Sequence, residues 1–154
     1  MSTLTKVLER NVAEIEKNAD MKEGRFRLGH HLMPPVGWLN DPNGLCWYKG
    51  KYHVFFQYAP FDVEGGLKFW GHYTSVDLVD WKYEGTALYP DSPYDCHGVY
   101  SGSALVEDEK MHLFFTGNVK IDGDYDYINE GRETSPLHVE SEDGIHFGDK
   151  EEII

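Results

Sequence analysis

Lys51-Tyr52-His53-Val54-Phe55-Phe56 is echoed about sixty residues later by Lys110-Met111-His112-Leu113-Phe114-Phe115. Downstream of each copy comes a second echo: Ser75-Val76-Asp77 with Trp81, then Ser141-Glu142-Asp143 with Phe147. The echoes keep their order, so they mark a unit that occurs twice. Each unit reads as about four short strands, and four antiparallel strands in a repeat are the signature of a β-propeller blade. Coincidental likeness between two hairpins is the competing reading. Propellers close with about four to eight blades. Two units ending at Glu151-Glu152-Ile153-Ile154 are therefore expected to be the front of a longer fold.

Around the first copy, the pattern gives a strand over 44–48, a hairpin turn at Lys49-Gly50-Lys51 and a strand over 52–58. A glycine-bearing loop over 61–68 follows, then a strand over 69–76, a turn ending on Trp81 and a strand over 82–88. Pro90 to Gly98, with Asp91, Pro93 and Asp95, reads as a loop. Upstream, Leu4, Val7, Leu8, Val12 and Ile15 fall on one helical stripe capped by Ser2 or Thr3, predicting an appended helix within residues 1–20. Glu9, Arg10, Glu14, Glu16 and Lys17 lie largely off that stripe. Residues 21–37 read as an extended lead-in arm, and 38–154 as the partial propeller. His30-His31 could suggest a metal. No neighbouring Cys, Asp or Glu completes a ligand set, so a loop pair is the expectation.

The bulk numbers bound the function. The 154 residues are 40% apolar and 14% aromatic with 16 glycines, which suits short strands joined by tight turns. A net charge of −13 disfavours nucleic acid and anionic membrane as partners. No apolar run is long enough to span a bilayer, and the N-terminus has no signal core. The expected location is the cytoplasm, with Cys46 and Cys96 reduced.

One stretch combines turn formers with aromatic bulk: Trp38-Leu39-Asn40-Asp41-Pro42-Asn43-Gly44. Pro42 fixes its own φ and pushes Asp41 towards extended geometry. Asp41 is either part of a plain hairpin turn with an Asx cap or a carboxylate held for chemistry at the mouth of a strand.

Five segments in register resemble one family. They are Trp38–Gly44, Phe56-Gln57-Tyr58-Ala59-Pro60, Trp70-Gly71-His72, Ser75–Trp81 and Tyr100-Ser101-Gly102-Ser103-Ala104. Together they resemble glycoside hydrolase family 32, most of all its bacterial sucrose-6-phosphate hydrolases and invertases, from about His31 to Phe147. The resemblance implies an all-β fold in which this chain supplies about two blades of a five-bladed β-propeller, with its site in the axial funnel. It implies a retaining β-fructofuranosidase acting on sucrose 6-phosphate or sucrose, with Asp41 as nucleophile. It also implies that Asn40, Gln57, Tyr100 and Ser101 contact or orient the fructosyl unit, and that Trp38 and Trp70 line the funnel. Strand packing is the alternative for Trp70 and His72. No metal or organic cofactor is implied; the partner is a small sugar.

The chain departs from the family pattern in lacking its Arg-Asp-Pro and Glu-Cys motifs, which carry a transition-state Asp and the acid/base Glu. Both are expected beyond residue 154. Glu130, Glu133, Glu140 and Glu142 read as solvated charges, and Cys96 as a small buried residue. Without its acid the chain alone is expected to be inactive, a sugar-binding half that self-associates through the blade face left open. A fructan hydrolase or fructosyltransferase is the neighbouring alternative.

Overall fold

Each echoed segment begins where the chain reverses through a two-residue loop. Lys49-Gly50 and Asp108-Glu109 all have positive φ (45°, 78°, 49° and 60°), the conformation that lets a tight hairpin follow the twist of its strands. The computed structural model describes residues 2–19 and 26–153. Helix α1 (Thr3–Lys17) precedes strands β1 (Trp38–Tyr48), β2 (Lys51–Ala59), β3 (Phe69–Ser75) and β4 (Trp81–Leu88). Strands β5 (Val99–Glu107), β6 (Lys110–Lys120), β7 (Arg132–Ser141) and β8 (Glu151–Glu152) follow. They form two four-stranded antiparallel sheets in sequential order, β1-β2-β3-β4 and β5-β6-β7-β8.

The second echo is also structural. Ser75 Oγ and Asp77 Oδ1 are 3.0 Å apart, and Asp77 Oδ1 accepts from the amides of Val79 and Asp80. Ser141 Oγ and Asp143 Oδ1 are 3.1 Å apart, and Asp143 Oδ1 accepts from Ile145 and His146. The same side-chain lock closes the same corner of both sheets.

The main core lies between the sheets. Tyr48, Phe55, Trp70 and Leu88 of the first meet Val99, Met111, Leu113, Phe115, Leu137 and Val139 of the second. The opposite face of the first sheet carries Phe56, Tyr58, Phe69 and Tyr73 beneath Val12 and Leu8 of α1 and Leu32 and Val36 of the lead-in. Strand β2 is therefore covered on both faces, and His53 to Ala59 are all buried.

Several expectations are corrected. The first strand begins at Trp38, not at Gly44, because β1 absorbs the turn formers in two bulges. The helix buries Val12, but Leu4 and Val7 of its predicted stripe are exposed. Glu16, expected off the stripe, instead accepts hydroxyl bonds from Tyr58 (2.9 Å) and Tyr83 (2.7 Å). Burial first, then the Glu16 charge, raises both phenols, which stay protonated donors. Of the expected arm, residues 21–25 lie outside the described residues, and 26–37 form turns and irregular chain. Cys96 is exposed rather than buried, and both thiols are free.

A buried ion cluster ties the second sheet's tail to the linker before β5. Lys150 Nζ donates to Asp91 Oδ1 at 2.6 Å, and to Asp95 Oδ2 and the Tyr89 carbonyl. Asp91 Oδ2 accepts in turn from Thr5 Oγ1 of α1 at 2.6 Å.

Paired histidines recur at matching positions. His53 Nδ1 and His72 Nε2 are 3.0 Å apart, as are His112 Nδ1 and His138 Nε2. The first pair is buried against Phe55, which Phe147 of the second sheet meets edge-on at 5.8 Å. The second pair, with Phe114, sits half-buried on the outward face of its sheet. Burial foremost, then the neighbouring His53, pushes the His72 pKa down to about 3; Glu84 opposes this weakly and Lys51 adds to it. The unfolded imidazole binds a proton near pH 6.5, so stability is fully present above that pH and is lost as pH falls towards 3. Between pH 6.5 and 5 the loss from His72 should be about 2 kcal/mol. Carboxylates add little there, since their unfolded pKa values lie near ~4. Urea midpoints at pH 7, 6 and 5 test this, and a flat profile would contradict a neutral buried His72.

Candidate active site

The site forms where the bulges of β1 and β5 meet. In β1, Leu39 pairs with Tyr58 and Pro42 with Phe56, so Asn40 and Asp41 stand together opposite Gln57. In β5, Tyr100 pairs with Thr116 and Gly102 with Phe115, leaving Ser101 without a partner. A bulge re-aims the side chain it releases from the ladder. Here two bulges on different sheets aim Asp41 and Ser101 at each other.

Ser101 Oγ donates to Asp41 Oδ2 at 2.8 Å. Gln57 Nε2 donates to Ser101 Oγ at 3.0 Å, and Asn40 Nδ2 donates to Gln57 Oε1 at 3.3 Å. Four expected site residues thus form one chain of hydrogen bonds. Gln57 is buried, whereas Asn40 and Asp41 are exposed. The network holds one carboxylate, and among the described residues nothing bonds Asp41 Oδ1.

Asn43 belongs to the site and was not singled out from the sequence beyond its turn-forming role. It is buried; its Nδ2 donates to the Asp41 carbonyl at 2.9 Å, and its Oδ1 accepts from the Gly102 amide at 3.2 Å. It clamps the backbone of one bulge to that of the other. Gly44 follows at φ 52°, where an added Cβ would stand 2.8 Å from Phe55 Cδ2. The backbone packs directly on the core there, which only glycine permits.

Trp70 does not line a funnel. It is fully buried, and its indole N–H donates to the Tyr100 carbonyl at 3.1 Å. Of the two readings it takes strand packing, and it holds Tyr100 and so Ser101 in place from beneath. His72 is likewise buried in its histidine pair. Trp38 is half-buried, with Gly65 of the 61–68 loop against its ring. Glu130, Glu133, Glu140 and Glu142 are exposed. His30 and His31 are exposed too, and among the described residues no three of His, Cys, Asp and Glu converge as metal ligands.

The pattern described as Glycosyl hydrolases family 32 N-terminal domain matches residues 31–154. The chain belongs to glycosyl hydrolase family 32. It is 48% identical over 138 residues to a sucrose-6-phosphate hydrolase of Bacillus subtilis, covering 89% of this chain and 28% of that protein. A GH32 beta-fructofuranosidase of Bombyx mori superposes with a TM-score of 0.81 at 35% identity, over 95% of this chain and 30% of its own. The sucrose-6-phosphate hydrolase of Lactobacillus gasseri superposes at 0.77 and 34% identity, over 91% of this chain and 27% of its own. The chain thus spans under a third of the length of these relatives.

Proposed function

We propose that the chain carries the nucleophile half of a retaining β-fructofuranosidase acting on sucrose 6-phosphate or sucrose. The Ser101–Asp41 hydrogen bond supports this reading most directly. It fixes the carboxylate's direction through Oδ2 and leaves Oδ1 open to attack the anomeric carbon of a terminal fructosyl unit. A covalent glycosyl intermediate forms, the leaving sugar takes a proton, and water then releases fructose. Asn40 and Gln57 meet fructose hydroxyls and hold the network in register; Trp38 and Tyr100 offer flat faces to sugar C–H surfaces.

A retaining pair needs a second carboxyl about 5–5.5 Å away. The network at Asp41 has only one carboxylate among the described residues, so the acid/base comes from outside them. In this reading residues 38–154 are the first two blades of a five-bladed propeller. The outward face of the second sheet, with Leu105 and the His112–Phe114–His138 stack, receives the next blade or, in isolation, a second copy. The free thiols suit a reducing cytoplasm, and no helix among the described residues is long and apolar enough to cross a membrane.

The test compares the chain alone with a chimera joining it to the remainder of the Bacillus subtilis relative, each given sucrose 6-phosphate and sucrose. The chimera should release fructose and the chain alone should not. A folded chimera that cleaves neither sugar would overturn the fructosidase reading. Robust cleavage by the chain alone would overturn the missing acid.

A further inference from the structure

A cleft of about 440 Å³ opens on the flank of the molecule, between the start of α1, the strand end and linker over 86–92 and the tail over 145–150. Its floor is apolar, with Leu88, Val139 and Phe147, and Tyr89 stands in its wall. No member of the Asp41 network lines it. Its size is that of a small-molecule site.

The charge in this cleft does not balance. Glu9, Asp91 and Asp149 line it against one cation, Lys150. Lys150 has no donor to spare, because its three N–H groups go to Asp91, Asp95 and the Tyr89 carbonyl. Asp91 and Asp95 therefore share one ammonium, and buried carboxylates in excess of their cations are costly. Among the described residues Glu9 and Asp149 make no ion pair. Thr86 Oγ1, also in the lining, is buried with no hydrogen-bond partner. The positive pole at the start of α1 is already met by Asp91, which accepts from Thr5 Oγ1.

These groups select the occupant. An anion would face three carboxylates and a lysine that is already saturated. A metal ion needs ligands that converge on one point, and among the described residues no three of His, Cys, Asp and Glu do so. An aliphatic ammonium meets every feature. Its carbon stem covers the apolar floor, and the Tyr89 ring attracts its charge. Its N–H groups reach the carboxylates and the Thr86 hydroxyl. Glu9 stands on the helix and Asp149 on the tail, so the two unpaired carboxylates call for two such heads.

We propose that this cleft binds a small aliphatic diamine or polyamine, with one ammonium at Glu9 and another at Asp149. The site is separate from Asp41 and does not depend on the fructoside reading.

Calorimetric titration of the 154-residue chain with cadaverine tests this, beside pentylamine, pentanediol and magnesium ion. Cadaverine should bind at one site, about tenfold or more tightly than pentylamine, the scale of one charged hydrogen bond. The uncharged diol should not bind. Glu9→Gln and Asp149→Asn, both at exposed positions and so safe for folding, should each bring the diamine towards the monoamine. Thr86→Val, nearly isosteric, should weaken both amines. Absence of saturable binding, equal binding of diamine and diol, or undiminished affinity in both carboxylate variants would overturn the site. Magnesium displacing cadaverine at equal concentration would also overturn it, since that marks diffuse attraction to an acidic surface. Amide resonances that shift on titration should lie along 86–92 and 145–150, and shifts centred on Asp41 instead would overturn the location.

Discussion

Replacing Asp41 by asparagine is expected to lower fructose release by on the order of 10⁴-fold or more, an increase of at least ~5.5 kcal/mol in the barrier. The amide is nearly isosteric with the carboxylate and can still accept from Ser101 Oγ, so the hydrogen-bond chain through Gln57 and Asn40 has no reason to collapse. What disappears is the anionic oxygen that attacks the sugar in the proposed mechanism. The measurement is fructose release by the chimera described above, wild type against Asp41→Asn, with melting temperatures to show that both are folded. Retained cleavage at a tenth of the wild-type rate would be incompatible with a covalent role for this carboxylate.

The second large effect concerns stability. Lys150→Met is expected to cost about 3–5 kcal/mol, because it strands a carboxylate in the protein interior. Asp95 is wholly buried and Asp91 largely so, and Lys150 is the cation that both face. Ser92 still donates to Asp95 Oδ1, but Oδ2 loses its partner. Domains are stable by only about 5–15 kcal/mol, so the change should move the urea midpoint strongly. Adding Asp95→Asn to Lys150→Met should recover part of the loss, since the pair acts as a unit. A single variant with an unchanged midpoint would show that the cluster contributes nothing to holding the tail of the second sheet to the linker.

Much of the architecture was legible because the repeat is written in hairpins. Their alternation and two-residue loops are local features, and two echoed segments in order suffice to count the sheets. The start of β1 was not legible. Asn40, Pro42, Asn43 and Gly44 are turn formers, and only the pairing with β2 reveals that two bulges keep them inside a strand. The place of Asp41 beside Ser101, Gln57 and Asn40 was implied by the resemblance, and the hydrogen bonds among them follow from the two bulges. The roles of Trp70 and Asn43 were not legible, because they depend on which face of the sheet meets its neighbour.

The Asp41 carboxylate and the hydroxyl that fixes its direction belong to different copies of the repeat. Neither copy makes this contact by itself. The proposed reactivity is therefore a property of the seam between the two units, and a change that merely tilts one copy against the other should silence it without touching a single reacting atom.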